Sequence, residues 1–168
     1  MEITGFLPIE NQDAEILILG SVPSVKSLEE NQYYGHPRNV FWDIMGDLFG
    51  FERNLGYEKR AKILLKNKLA LWDVLSGCER QGSLDSSIKT KSIVTNDFQT
   101  FFEKHPSVNR VFFNGTKAEN EYNKRVLPKL SETLQNIKYC RLPSTSPAMA
   151  SLNKAAKLAE WKIIKTEK

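Results

Sequence analysis

Ala14-Glu15-Ile16-Leu17-Ile18-Leu19-Gly20-Ser21-Val22-Pro23-Ser24 is the stretch that decides the fold. Four large aliphatic residues in succession, with no polar alternation, read as a strand buried on both faces, and the Gly-Ser-Val-Pro-Ser that follows ends it. The pattern returns: residues 14–19, 69–72, 110–113 and 137–142 all read as short strands followed by loop or helix signals. Helical periodicity fills the intervals. Residues 39–51 place Phe41, Ile44, Met45 and Leu48 at helical spacing behind Asn39 as N-cap, and residues 57–68 do the same with Ala61, Leu64 and Leu65. Residues 97–104 read as a short helix ended by Pro106, and 116–130 as a longer one. Residues 151–165 set Leu152, Ala155, Ala156, Ala159 and Ile163 on one face and Lys154, Lys157 and Lys165 on another. Strands alternating with helices predict an α/β fold, three layers αβα around a central four-stranded, mainly parallel sheet. No repeat or linker divides the chain, so residues 1–168 read as a single domain.

Composition agrees. The chain has 168 residues, 40% hydrophobic and 26% charged, with a net charge of +4, which excludes a disordered, collagen-like or low-complexity polypeptide. The charge is uneven: residues 137–168 hold seven basic and two acidic side chains, a net +5, so the other 136 residues carry −1. An excess confined to one end fits a local anionic partner, or simply a solvated basic helix. The longest apolar runs are too short to span a bilayer, and Met1-Glu2-Ile3 lacks the basic-then-apolar order of a signal peptide, so the expected location is the cytoplasm, away from any membrane. Cys78 and Cys140 stand alone and His36 and His105 are the only histidines, so no metal site or iron–sulfur cluster is expected.

In a parallel sheet, ligands bind beyond the carboxyl ends of the strands. There the chain places residues 20–24, 73–77, 114–116 and 143–148. Three of these four segments are rich in Gly, Ser, Thr or Pro, which allows close approach to a phosphate or sugar. The first connection, Gly20 to Arg38, is long enough to expect function of it. Its adjacent Tyr33 and Tyr34 are costly to leave in water, so a tyrosine pinning the loop to the core and a tyrosine forming a stacking platform are both open readings. Asn39 is explained locally as a helix cap, and Asp73 equally well as a cap for its own turn.

Taken together, Gly20-Ser21-Val22-Pro23-Ser24, Tyr34-Gly35-His36-Pro37-Arg38-Asn39-Val40-Phe41-Trp42, Leu71-Trp72-Asp73-Val74-Leu75 and Leu142-Pro143-Ser144-Thr145-Ser146-Pro147 resemble the uracil-DNA glycosylase superfamily, in order and spacing along nearly the whole chain. Within it the chain is most similar to the hypoxanthine (deoxyinosine) DNA glycosylase branch, and more distantly to mismatch-specific uracil glycosylases. The resemblance implies the uracil-DNA glycosylase-like fold and a monomeric, cofactor-free DNA glycosylase of base-excision repair acting on DNA with deaminated bases. Hypoxanthine heads the list, with xanthine and uracil after it.

Residue by residue, the resemblance makes Gly20, Ser21 and Val22 part of the base site. The third position of that motif holds the attacking water in most branches as Asp or Asn; here it is Val22, which cannot. In the hypoxanthine branch the asparagine of His-Pro-x-Asn takes the catalytic role, which falls on Asn39. Tyr34 stands where relatives stack a ring on the extruded base, and Asp73 near where relatives read the base edge. Pro143, Ser144, Thr145, Ser146 and Pro147 match the loop that presses on DNA, with Pro23, Ser24 and Arg38 as further contacts. Met149 is either an apolar wedge or core, and Arg141 and Lys154 are candidate phosphate contacts.

The chemistry suits these residue types. Breaking the C1′–N bond passes through a sugar cation so reactive that water need only be held, which an amide oxygen can do. Competing expectations are a binding module that kept the fold and lost the chemistry, for which Val22 speaks, and a hydrolase or transferase of free nucleotides, for which no P-loop or nucleophile-elbow motif speaks.

Overall fold

The computed structural model describes residues 1–134 and 136–166. Glu167 and Lys168, counted in the basic tail, lie outside the described residues.

The central sheet is built from β2 (Ile16–Gly20), β3 (Leu69–Asp73), β6 (Arg110–Asn114) and β7 (Lys138–Leu142), in the order β3-β2-β6-β7 with every pairing parallel. This is the expected four-stranded sheet, parallel throughout. β2, β3 and β6 are buried on both faces because helices cover both, while the edge strand β7 keeps Lys138 and Arg141 exposed. Ile16, Ile18, Leu69, Leu71 and Phe112 point into one core with α2 (Phe41–Phe49), Leu64 of α3 (Tyr57–Lys66) and Trp161 of α6 (Lys154–Trp161). Leu17, Leu19, Ala70, Val111 and Phe113 point into the other, against α4 (Phe98–Lys104) and α5 (Thr116–Glu121).

Three local readings change. Residues 73–77, expected as a loop, run into β4 (Leu75–Glu79), which pairs antiparallel with β1 (Glu2–Thr4) and β5 (Val94–Thr95) in a second, three-stranded sheet. The long first connection contains a short helix, α1 (Val25–Glu30), whose N-cap is Ser24. The expected helix 116–130 stays α-helical only to Glu121, becomes π-helical over Tyr122–Val126 and 3-10 over Leu127–Lys129. The break has a cause: Pro128 has no N–H for an α-helical bond, and its ring would collide with the carbonyl one turn back.

The last helix is turned from its expected face. Ala155, Ala159 and Ile163 are exposed, while Lys157, Trp161 and Ile164 face inward. One indole outweighs several methyl groups in buried area, and Trp161 Nε1 also donates to the Pro143 carbonyl at 2.9 Å. Among the described residues no helix is long and apolar enough to cross a membrane.

Gly46, inside α2, gives a test of this packing. Gly→Ala in an exposed helix interior normally gains about 1 kcal/mol. A Cβ on Gly46 would overlap the Phe51 carbonyl oxygen, which itself lies against the helix. Gly46→Ala is therefore expected to destabilise by about 1–3 kcal/mol, read as a drop in Tm of several degrees by circular dichroism.

Candidate functional site

The four parallel strands end together, and their carboxyl ends open on one cleft of about 740 Å³. Register does the first part of the work: Gly20 pairs with Asp73 across β2 and β3, and Asn114 with Leu142 across β6 and β7. Every segment expected at the strand ends reaches this cleft, which Gly20, Ser21, Val22, Pro23, Ser24, Tyr34, Asn39, Asp73, Ser144, Thr145, Ser146 and Pro147 all line. Pro143 and Arg38 are not part of the lining; Pro143 is held from behind through its carbonyl, and Arg38 is exposed nearby.

The two tyrosines divide the open readings between them. Tyr33 is the pin: it is buried, its hydroxyl donates to Leu7 O at 2.8 Å, and its carbonyl accepts from Trp42 Nε1 at 2.7 Å. Tyr34 turns the other way. Its backbone sits in the left-handed region at φ 53°, a conformation costly for a bulky residue. Its ring packs on Phe41, centroids 4.1 Å apart, and its hydroxyl reaches the floor of the cleft.

Gly20 makes that floor possible. A Cβ at this position would lie 2.6 Å from Asp73 Oδ1 and 2.7 Å from Tyr34 Oη. Asp73 is buried, and its side chain caps no turn; its backbone carbonyl accepts from Asn96 Nδ2 at 2.8 Å. Oδ2 has no partner. Burial first, then the charge of Asp85, raise its pKa to about 7, with Arg80 pulling the other way. Burial, then the Asp73 charge, also push the Tyr34 phenol far above its ordinary range.

Asn39 is buried at the start of α2. Its Oδ1 accepts the Phe41 N–H at 3.0 Å, but the N-cap of the helix is Val40, one residue later than expected, and Asn39 stands just outside it. Three contacts fix it in place. Arg53 donates to the carbonyls of His36 (3.0 Å) and Asn39 and pairs with Asp43 at 2.8 Å. The Val40 N–H donates to Thr145 O at 3.1 Å. Thr145 in turn exchanges two 2.9 Å hydrogen bonds with the Asn114 amide.

The loop expected to press on DNA is internally braced. Ser144 Oγ accepts from Ser146 N and Ser146 Oγ from Ala148 N, at 3.1 and 3.2 Å. Lys157 supports it from beneath, Nζ donating to Ser146 O at 3.1 Å. Met149 is half-buried, belongs to neither apolar core, and lines the cleft. Arg141 and Lys154 are engaged in exposed ion pairs with Glu119 and Asp47. Val22 leans on the apolar core, so position 22 offers the cleft no polar side chain.

Sequence reading missed one wall entirely. Residues 83–86, in the β4–β5 connection, line the cleft. Asp85 accepts from Ser21 Oγ at 2.8 Å, Ser83 Oγ accepts from Val25 N at 2.9 Å, and buried Arg80 bonds Gly82 O and Pro23 O. Leu84 stands 55% exposed at the mouth. Each contact joins residues more than 50 apart, save Arg80 to Gly82, and no local motif signals them. Asn114 lies in a segment expected at the strand ends but was given no role there, and Arg53 was not anticipated; their side-chain bonds reach 31 and 10 to 17 residues away. Among the described residues no group of three or more His, Cys, Asp or Glu side chains could hold a metal ion.

Comparison with known proteins bears on this cleft. The family model described as the uracil DNA glycosylase superfamily matches residues 7–166. The chain is 40% identical over 119 residues to a protein named hypoxanthine DNA glycosylase from Methanosarcina barkeri, covering 70% of this chain and 74% of that one. It is 38% identical over 161 residues to one of the same name from Methanosarcina acetivorans, covering 95% and 96%. The solution NMR structure of a candidate uracil DNA glycosylase from Methanosarcina acetivorans superposes with a TM-score of 0.80 at 36% identity, over 98% of this chain and 96% of the other.

A raised carboxyl pKa makes folding depend on pH in a defined direction. The unfolded chain releases the Asp73 proton near pH 3.8 and the folded chain near 7, so between these values the folded state binds more protons and stability falls as pH rises. Asp73→Asn should therefore be more stable than the wild type at pH 8, by up to about 4 kcal/mol, with the difference closing toward pH 4. Urea denaturation at the two pH values reads it; a difference independent of pH would show that Asp73 does not titrate in this way.

Proposed function

This chain belongs to the uracil DNA glycosylase superfamily, and on that footing we propose that it is a monofunctional DNA glycosylase that hydrolyses the N-glycosidic bond of hypoxanthine in DNA, with xanthine and uracil as further substrates. The observation that carries this reading is the convergence of Asn39, Tyr34 and Asp73, from two separate segments, on one cleft at the carboxyl ends of a parallel sheet. The rest of the reading is one catalytic domain acting as a monomer on DNA in the cytoplasm, without metal or cofactor.

The target nucleotide must leave the duplex to reach the cleft floor, at a cost of a few kcal/mol that is smaller for a mispaired inosine. The braced loop 143–147 is stiff enough to press on the backbone as the base swings out, and Lys157 adds positive charge behind it. At the floor the Tyr34 ring takes one face of the base, and Asp73 meets its edge.

Asn39 supplies the water site. One lone pair of its Oδ1 is committed to the Phe41 N–H, which fixes the direction of the second. A water held there can meet C1′ as the sugar cation forms. Water at such a cation needs position more than deprotonation, and a buried amide clamped through Arg53, Val40 and Thr145 provides it. The departing purine carries negative charge over its ring nitrogens and O6. The amides of Val22 and Ser24 donate to no other group among the described residues and so are available to it. Asp73 does not oppose that charge when protonated, and its pKa near 7 makes the protonated form abundant at neutral pH. No lysine stands among the groups placed at the reacting carbon, so the product is an abasic site with an intact strand.

Incubating the protein with duplexes containing inosine, deoxyxanthosine or deoxyuridine, then treating with alkali, is expected to give strand breaks only after the alkali step and most readily with inosine. Asn39→Ala should lower the rate roughly 10²-fold or more while leaving the thermal transition in place. No base release from any of the three, with salt-sensitive DNA binding retained, would establish instead the binding module for which Val22 speaks.

A further inference from the structure

The β4–β5 connection brings to the cleft a charge that the other walls do not. Among the described residues lining the cleft, Asp73 and Asp85 are the two carboxyls, and Lys117 is the one lysine or arginine, already paired with Glu121 at 3.0 Å. Asp73 is buried at the floor, with Oδ2 unpartnered. Asp85 is exposed and one step nearer the mouth: its Oδ1 accepts at 2.8 Å from Oγ of Ser21, the residue that follows Gly20. It forms no ion pair among the described residues. The buried Arg80 guanidinium is committed instead to the carbonyls of Gly82 and Pro23, at 2.6 and 2.7 Å.

The turn that presents Asp85 is anchored on three sides. Val25 N donates to Ser83 Oγ at 2.9 Å, Arg80 holds Gly82, and Ile88 is buried in an apolar core. An anion fixed in a cleft without a cation is electrostatically organised before any ligand arrives. Its charge reaches the floor, where it adds to burial in raising the proton affinity of Asp73. Two carboxyls in one cleft, one buried and inclined to keep its proton and the other exposed and charged, suit different tasks.

We infer that Asp85 stands beside the deoxyribose of the extruded nucleotide and stabilises the positive charge that develops there as the base departs. This rests on the reading of the chain as a DNA glycosylase. With the base at the floor against Tyr34 and Asp73, the sugar lies one bond nearer the mouth, at the level of Ser21 and Asp85. As the C1′–N bond breaks, its electron pair leaves with the base, and C1′ and the ring oxygen share the positive charge. Water then adds its oxygen to C1′, and the proton it releases neutralises the departed base. Asn39, which holds that water, is neutral, so the negative charge facing the sugar comes from Asp85. A fixed anion favours the cation over the neutral sugar, and only such a difference accelerates the reaction. The base lies deeper than the sugar, where the Val22 and Ser24 amides offset its own charge.

Two abasic analogues test this directly. Affinity is measured for duplexes carrying a pyrrolidine nucleotide, whose ring nitrogen is cationic at neutral pH, or a tetrahydrofuran nucleotide, which has the same size and no charge. The wild type should favour pyrrolidine roughly 10-fold or more, and Asp85→Asn should lose most of that preference without losing affinity for the tetrahydrofuran duplex. Single-turnover release of hypoxanthine should fall by a similar factor in Asp85→Asn and recover in part in Asp85→Glu, with the thermal transition in place throughout. An Asp85→Asn protein that keeps the preference and the rate overturns the inference, as does a preference lost only in Asp73→Asn. A fall in affinity for both duplexes together with the thermal transition assigns Asp85 to the turn alone and also overturns it. Each of these leaves the glycosylase reading standing, whereas a wild type that releases no base from inosine, deoxyxanthosine or deoxyuridine DNA overturns that reading itself.

Discussion

Position 20 can carry a hydrogen and nothing larger, and the arrangement of the cleft depends on it. Parallel pairing puts Gly20 directly beside Asp73, while Tyr34 reaches the same point from the far end of the first connection. Any side chain there would push the carboxyl and the phenol apart. The fold accepts several costs to keep them together: a buried carboxyl with an unpartnered oxygen, a buried phenol without a partner, and a tyrosine backbone in the left-handed region. Costs gathered at one point, in a protein whose other buried groups are almost all satisfied, are the physical signature of a site shaped for something else to complete it.

Asn39, the proposed catalytic residue, illustrates how a short motif is held by parts far from it in sequence. Its helix begins where Val40 meets Thr145, and Thr145 is locked to Asn114 at the end of a central strand. The loop proposed to press on DNA and the helix carrying the amide are therefore one hydrogen-bonded unit. Displacement of the loop by a duplex would be transmitted to the amide through two bonds. Arg53 closes the other side, bridging the carbonyls of His36 and Asn39, so the His-Pro-Arg-Asn segment is clamped at both ends.

Much of this was legible from the residues. The sheet followed from aliphatic runs such as Ile16 to Leu19, because burial on both faces removes alternation and leaves an unmistakable pattern. Asn39, Tyr34 and Asp73 were legible as a set through spacing, although no one of them was decisive alone. What escaped shares a physical character. Leu75–Glu79 did not read as a strand because Ser76 and Gly77 break its apolar pattern; antiparallel pairing with Glu2–Thr4, over 70 residues away, makes it one. Lys157 was assigned to solvent because a lysine at helical spacing with alanines reads that way. Its methylene stem lies buried beside Trp161 and only the ammonium seeks a partner, the Ser146 carbonyl. Arg80, Asp85 and Arg53 act through contacts set by tertiary folding, which no local window contains.

The distribution of charge has a consequence for how DNA and base are sorted. The basic excess of residues 137–168 is not a row of free cations, since Arg141 and Lys154 already face Glu119 and Asp47. Exposed pairs of this kind are worth under about 1 kcal/mol, so exchanging a carboxylate for a phosphate costs little. The floor has the opposite character: Asp73 lies deep in the cleft, with Asp85 close enough to shift its proton affinity. The negative charge of Asp85 disfavours a phosphate there, whereas a neutral base is unaffected. In the proposed binding mode, cations beside the loop hold the backbone outside while the uncharged part of a nucleotide enters the depth. At a floor where Asp73 is this deeply buried, an unpaired polar group costs more than it would in water, so the hydrogen bonds a base makes there weigh more than those its backbone makes at the solvated rim.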